Sequence, residues 1–346
     1  MQADYMKRWY LYPFSLIYHL GTSVRNKMYD WGLLPSTKFN TPIINVGNLS
    51  VGGSGKSPMV MHIAELLSKN HRTGVLSRGY GRTSKGYGVV NYNSNYKTVG
   101  DEAMQLFERF KNRFVIGVSE DRVFGAKKLI SDMDLDVLVL DDAFQHRRIN
   151  AGLNILMTDY NDPYFKDFIL PAGNLRESRN GMKRAHIIVV SKCPANITEE
   201  KKQYYISRIS PKHYQKVFFS TINYDETVFS KTQSLPDNNL AYYDILVITG
   251  IANPTPFLEH LNRFAKKVKH LKFKDHHSFT DADVQKIISE YKKMGDYKMI
   301  LTTEKDFVRL KTFEYLSDKL YYWPINVEMD KLEEFNKIIL NYVRKI

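Results

Sequence analysis

Cysteine is almost absent from the 346-residue chain: Cys193 stands alone. That excludes an internal disulfide and any metal cluster built from several thiolates, and it fits a reducing compartment. No internal repeat, low-complexity tract or His-Glu-x-x-His metal motif interrupts the sequence. The aromatic stretch Trp9–Leu20 is apolar, yet shorter than the roughly 20 residues that cross a bilayer as a helix. It also lacks the small-residue cleavage site of a signal peptide. Acidic residues are in deficit, with 37 Asp and Glu against 50 Lys and Arg, giving a net charge of +13 and a pI near 9.4. Such a surplus favours acidic partners: nucleic acid, an anionic membrane surface or phosphorylated molecules.

The length suffices for two domains, each with its own core. Aromatic content is high, at 13% with 23 tyrosines. At the N-terminus, Lys7, Arg8, Arg25 and Lys27 flank the apolar stretch, and Tyr29 and Trp31 follow it. Aromatic rings favour the headgroup level of a bilayer, and basic side chains favour anionic lipid. The pattern suits an interfacial helix and equally an ordinary helix packed on the domain.

One stretch carries specific chemistry: Gly47-Asn-Leu-Ser-Val-Gly-Gly-Ser-Gly-Lys-Ser-Pro58. Ile43-Ile44-Asn45-Val46 before it reads as a strand, and Met59–Leu67 after it as a helix. Strand, glycine loop and helix together form the context of a phosphate-binding loop. Val51, Gly52, Gly53, Ser54 and Gly55 would turn backbone N–H groups inward around phosphate oxygens, aided by the helix N-terminus before Pro58. Lys56 would reach the terminal phosphates of a nucleotide, and the Ser57 hydroxyl would bind Mg²⁺. Ser50 replaces the usual first glycine of the motif.

Apolar runs recur at Pro42–Val46, Thr73–Leu76, Phe114–Val118, Val137–Leu140, Leu153–Met157 and Ile187–Val190, separated by helical patterns at Ser57–Lys69, Glu102–Phe110 and Glu120–Ile130. Buried strands alternating with helices predict an α/β/α sandwich around a mostly parallel sheet. A second α/β unit follows, with strands at Tyr243–Thr249 and Lys298–Thr302 and helices at Pro256–Lys266 and Thr280–Met294. Val217–Tyr224 and Leu320–Val327 look alike and are expected to form a two-stranded ribbon into and out of that unit, before a last helix over Lys331–Arg344. The expected organisation is an N-terminal interfacial segment over 1–35, a nucleotide-binding domain over 36–215 with 328–346, and a smaller domain over 216–327.

Val137-Leu-Val-Leu-Asp-Asp142 ends a buried run in two carboxylates. Phosphate-loop enzymes hold Mg²⁺ with an acid so placed, which nominates Asp141 and Asp142. Gln145 and His146 follow at the same strand tip. Asp101 and Glu102 open a helix, where acids are common for capping reasons alone. Arg78 and Tyr80 sit among glycines just past a strand, and Arg122 and Arg176 lie on other loops. Lys274-Asp-His-His-Ser-Phe279 suggests acid–base work rather than zinc, which wants more ligands. Leu301-Thr-Thr-Glu-Lys-Asp306 is a further polar cluster at a strand end.

Taken in order, these motifs resemble the tetraacyldisaccharide 4′-kinase family, together with Ser77-Arg-Gly-Tyr-Gly-Arg82, Val99-Gly-Asp-Glu102, Leu175-Arg-Glu177 and Gly250-Ile-Ala-Asn-Pro254. The resemblance runs from about Ile44 to Asp306. It implies transfer of the γ-phosphate of ATP to the 4′-hydroxyl of an acylated glucosamine disaccharide 1-phosphate, giving a lipid A precursor. It implies that Asp101 is the catalytic acid and that His276 completes it from the second domain. Lys56 and Ser57 then match the phosphate and Mg²⁺ contacts, and Asp141 and Asp142 the carboxylates at the metal. Asn48, Arg78, Tyr80, Glu102, Arg122, Gln145, His146 and Arg176 fall at positions for phosphate, metal or headgroup. The N-terminal segment is similar to a membrane-facing helix, which implies a peripheral protein on the cytoplasmic side of the inner membrane. Neither nucleic acid nor an obligate protein partner is expected. The alternatives are another phosphate-loop kinase or ATPase, and a basic nucleic-acid-binding protein without enzymatic activity.

Overall fold

The structure, a computed structural model, describes residues 6–344, with side chains from Arg8 onward. Residues 1–5, 345–346 and the Lys7 side chain of the expected segments lie outside it. A short 3₁₀ segment, Met6–Leu11, leads into helix α1, Tyr12–Asp30, longer than the aromatic stretch alone implied.

The first lobe then alternates strand and helix. Its elements are β1 (Ile43–Asn48), α2 (Lys56–Ser68), β2 (Thr73–Ser77), β3 (Gly88–Val89), α3 (Tyr96–Val99) and α4 (Asp101–Phe110). There follow β4 (Val115–Val118), α5 (Arg122–Met133), β5 (Val137–Asp141), β6 (Leu153–Asp159), β7 (Ile187–Ser191), α6 (Glu199–Ile209) and β8 (Lys216–Tyr224). The second lobe holds β9 (Thr227–Phe229), β10 (Ser234–Pro236), β11 (Asp244–Thr249), α7 (Thr255–Leu261) and β12 (Lys267–Lys272). It continues with α8 (Asp281–Lys292), β13 (Lys298–Thr303), α9 (Glu304–Leu310) and β14 (Leu320–Trp323). Finally β15 (Ile325–Met329) and α10 (Leu332–Arg344) return to the first lobe.

Among the described residues the first sheet runs β15-β8-β7-β6-β1-β5-β2-β4-β3. Every internal pairing is parallel, and only the edge strands β3 and β15 are antiparallel. Because successive side chains alternate faces, Val137 and Val139 pack with α2, α4 and α10, while Leu138 and Leu140 pack with α5. Both faces are therefore covered, as an α/β/α sandwich requires. The second sheet runs β10-β9-β14-β13-β11-β12, with β14, β13, β11 and β12 parallel.

The apolar run Leu320–Val327 is divided rather than continuous. Proline lacks the N–H that a ladder needs, and Pro324 separates β14, in the second sheet, from β15, which pairs with β8. The β8–β15 ribbon exists, and it grows directly out of the first sheet, because β8 also pairs with β7 through Lys216–Phe219. Helix α7 stops at Leu261, well short of Lys266, and β12 follows as an edge strand that alternates lysine with half-buried Val268 and His270.

Candidate active site

The site lies beyond the carboxyl ends of β1, β5 and β2, where open parallel sheets bind ligands. After β1 the chain turns through Gly52 at φ 111° and Gly55 at φ 75° into α2. Those values favour glycine. Neighbouring segments hold the loop from both sides. Val51 N–H donates to Asn174 O at 2.8 Å, and Ser191 Oγ donates to Ser54 O at 2.8 Å. Lys192 Nζ donates to Gly53 O and pairs with Asp159 at 2.8 Å. Lys56 and Ser57 open α2, with Pro58 next, as the sequence implied. Lys56 Nζ donates to Gly52 O at 3.3 Å and lies 3.8 Å from Asp142. Asn48 lies beneath the loop, its Nδ2 3.5 Å from Gly52 O.

Asp141 ends β5 and is buried, and its Oδ2 has no hydrogen-bond partner among the described residues. Burial pushes its carboxyl up to about 8, reinforced by the charges of Glu102 and Asp142 and opposed by Lys56 and Arg122. Asp142, at φ 50°, takes a different role. Arg176 donates to both of its oxygens at 3.0 Å. Gln145 braces the loop, donating to Asn48 O at 2.8 Å and to Glu177 Oε1 at 3.1 Å. Arg122 is 3% exposed, and its guanidinium donates to Ser119 O and Asp141 O, behind the acid rather than on an open wall. Burial lowers its pKa to about 10. His146 is pushed down to about 4 by burial and by the charges of Arg122 and Arg78, which keeps the ring neutral at pH 7. Arg78 and Val51 are exposed.

Asp101 is the first residue of α4, beside Glu102, whose pKa burial raises. The charges of Lys56 and Asp142 also act on Glu102, which ties this helix start to the phosphate loop. His276 reaches Asp101 from the loop between β12 and α8 of the other lobe, with Nδ1 3.0 Å from Oδ2. Of the two adjacent histidines it is therefore His276 that faces the acid. His277 Nε2 instead donates to Asp283 Oδ2 at 2.9 Å, at the cap of its own helix α8. Burial pushes Asp101 up, but the His276 hydrogen bond and the charges of Lys305 and Arg309 outweigh it. The net effect holds the carboxyl well below the usual carboxylate range. Exposed Tyr80 stands edge-on to the His276 ring, with centroids 5.8 Å apart.

Lys305 and Arg309 received no role from the sequence. Both lie on α9, and Arg309 pairs with Asp101 and, at 3.2 Å, with Asp306. Glu304 of the same helix receives Arg109 of α4 at 3.2 Å. The signal for this contact was the polar cluster Thr303–Asp306 at a strand end. Its partner helix was not legible locally.

Helix α1 rests against the same region. Ser15 Oγ donates to Ile169 O at 3.0 Å, Tyr18 OH donates to Arg176 O at 3.0 Å, and Asn26 Nδ2 donates to Glu177 at 2.8 Å. Its outer side leaves Phe14, Ile17 and Leu20 exposed, as is Trp9 in the 3₁₀ segment before it. Among the described residues, no helix is long and apolar enough to cross a membrane.

Comparison with known proteins shows the family. A protein of Flavobacterium johnsoniae described as Tetraacyldisaccharide 4'-kinase is 41% identical over 337 residues, spanning 97% of each chain. One of Bacteroides thetaiotaomicron with the same description is 40% identical, over 97% of this chain and 93% of its own. The crystal structure of LpxK from Aquifex aeolicus, described as an "apo" form in complex with ATP, superposes with a TM-score of 0.78 at 30% identity. It covers 97% of this chain and 99% of its own. The family model described as Tetraacyldisaccharide-1-P 4'-kinase matches residues 7–344. With a match of that extent, the chain belongs to the tetraacyldisaccharide-1-P 4'-kinase family.

Proposed function

We propose that this protein transfers the γ-phosphate of ATP to the 4′-hydroxyl of a tetraacylated glucosamine disaccharide 1-phosphate, giving the 1,4′-bisphosphate precursor of lipid A. The observation that carries the reading is the Asp101–His276 pair, assembled from two lobes, with Glu102 beside Asp101 within reach of the Lys56 charge. Phosphoryl transfer asks for positioning and charge stabilisation more than for covalent chemistry. Asp101 takes the sugar hydroxyl proton. In a loose transition state that proton leaves late, so a base needs to be ionised and well placed more than strongly basic. Its depressed pKa meets the first need, and His276 meets the second. Lys56 and the loop amides hold the phosphates, and Arg176 fixes Asp142.

The donor set fits Mg²⁺. Asp141 Oδ2 is buried without a partner, and no group of three or more His, Cys, Asp or Glu among the described residues forms a metal cage. Mg²⁺ is bound by one or two carboxylates plus substrate phosphates rather than by such a cage. Ser57, Asp141 and Asp142 would hold it, and it would neutralise charge on the phosphates. Asp141 offers the free oxygen, whereas Asp142 is engaged by Arg176. The aromatic outer side of α1 and the basic charge support a peripheral seat on the cytoplasmic face of the inner membrane.

The test is an assay with labelled ATP, Mg²⁺ and acylated disaccharide 1-phosphate in detergent. Label on the 4′-position supports the reading. ATP turnover with the lipid unlabelled would overturn the acceptor.

A further inference from the structure

The Thr303–Asp306 cluster brings a cation to the transfer centre that the reaction as described does not use. Lys305 Nζ lies 2.9 Å from His276 Nε2 and 3.9 Å from Asp101 Oδ2. An ammonium group has donors and no acceptor. At that contact Nε2 of His276 must therefore accept, and the ring proton of the neutral imidazole sits on Nδ1. Nδ1 is the atom that points at Asp101, 3.0 Å from a carboxylate oxygen that can only accept. The two contacts agree on a single tautomer. Without Lys305, only the Asp101 carboxylate of the other lobe would favour Nδ1–H, and a ring protonated on Nε2 would present a bare Nδ1 lone pair to that carboxylate.

We infer that Lys305 is a positioning residue for the proposed transfer, fixing His276 as the Nδ1–H tautomer and thereby orienting Asp101. The inference rests on the Asp101–His276 reading above. Apart from Asp101, which the ring meets only across the two lobes, the other groups around the ring do not supply this constraint. Arg309 is spent on Asp101 and Asp306 and donates weakly, at 3.5 Å, to His277 O. Asp275 accepts from the His276 backbone N–H at 3.1 Å, and Tyr80 offers its ring edge or face. Glu102 feels the Lys305 charge. The His276 backbone sits at φ 55°, a conformation disfavoured for non-glycine residues, so local backbone preference does not aim the ring. Side-chain contacts must do so. Lys305 and His276 also belong to the same lobe, so the ring is set before it meets Asp101.

The experiment is ¹⁵N NMR of histidine-labelled protein with Mg²⁺ and a non-hydrolysable ATP analogue, with the His276 ring identified by its loss in His276→Gln. The wild type is expected to show the proton on Nδ1. Lys305→Met should move it to Nε2 or give a mixture, and should lower kcat about tenfold or more while KM for ATP changes less than about twofold. Lys305→Arg, which keeps a donor, should retain the tautomer and recover part of kcat. A wild-type ring protonated on Nε2 overturns the inference without any variant, and so does an unchanged ring in Lys305→Met. The ring signal does not depend on lipid phosphorylation. A failed acceptor assay with this tautomer intact would thus overturn the acceptor alone.

Discussion

His276 Nδ1 lies 3.0 Å from Asp101 Oδ2, although the two residues belong to different lobes. Asp101 starts a helix packed on the first sheet, and His276 sits on a loop of the second. Chemistry at this pair therefore depends on how the lobes meet.

Asp101→Ala should abolish transfer, by about 10²-fold or more, with ATP affinity largely kept. Lys56→Ala should weaken nucleotide binding as well, because its ammonium stands within the loop. Steady-state kinetics beside direct ATP-binding titrations would check this division. Equal loss of ATP affinity in both variants would contradict it.

The contact between the lobes contains buried charge. Arg309 is 3% exposed at its side chain and faces both Asp101 and Asp306. Arg309→Met removes the buried cation that two acids share, and breaking a buried pair on one side costs about 3 kcal/mol or more. Urea unfolding would measure the loss, and a change below about 1 kcal/mol would count against the pairing.

Burial of Asp141 carries a pH-dependent cost in stability. Its folded pKa of about 8 lies above the unfolded value of about 4, so the native state holds an extra proton between the two. Its stabilising contribution is full below about pH 4 and is lost as pH rises toward about 8. Asp141→Asn should therefore raise the melting temperature of nucleotide-free protein, and more at pH 8 than at pH 5, while phosphoryl transfer falls sharply. Thermal melts at both pH values decide it. No difference in the gain between them would refute the linkage.

Ile17 is 72% and Leu20 66% exposed on α1. Burying such a side chain fully contributes about 1.5–3 kcal/mol. Ile17→Glu should reduce partitioning to anionic vesicles about tenfold and leave nucleotide binding in detergent unchanged. Vesicle sedimentation would show it, and undiminished binding would separate this face from the bilayer.

The strand, glycine loop and helix around Lys56 were legible because the information is local: glycines, Lys56 and Ser57 lie between β1 and α2 in one short stretch. The buried strands were legible for the same reason, each an unbroken apolar run. Strand β12 was not, because an edge strand with alternating lysines resembles a polar loop. The split of Leu320–Val327 at Pro324 depended on which sheet each half joins, a tertiary matter. Asp101 looked like any acid at a helix start, and only the resemblance implied its role. Lys305 and Arg309 stayed unassigned because their partner lies on α4, far away in sequence.

A double-mutant cycle on Asp101→Asn and His276→Gln, read by single-turnover transfer from labelled ATP to the lipid acceptor, tests the central claim most directly. Residues acting as one unit are strongly non-additive. The account predicts that the double variant loses little more than Asp101→Asn alone. Losses that simply multiply would mean the two side chains act independently, and the pair across the lobes would not be the catalytic unit.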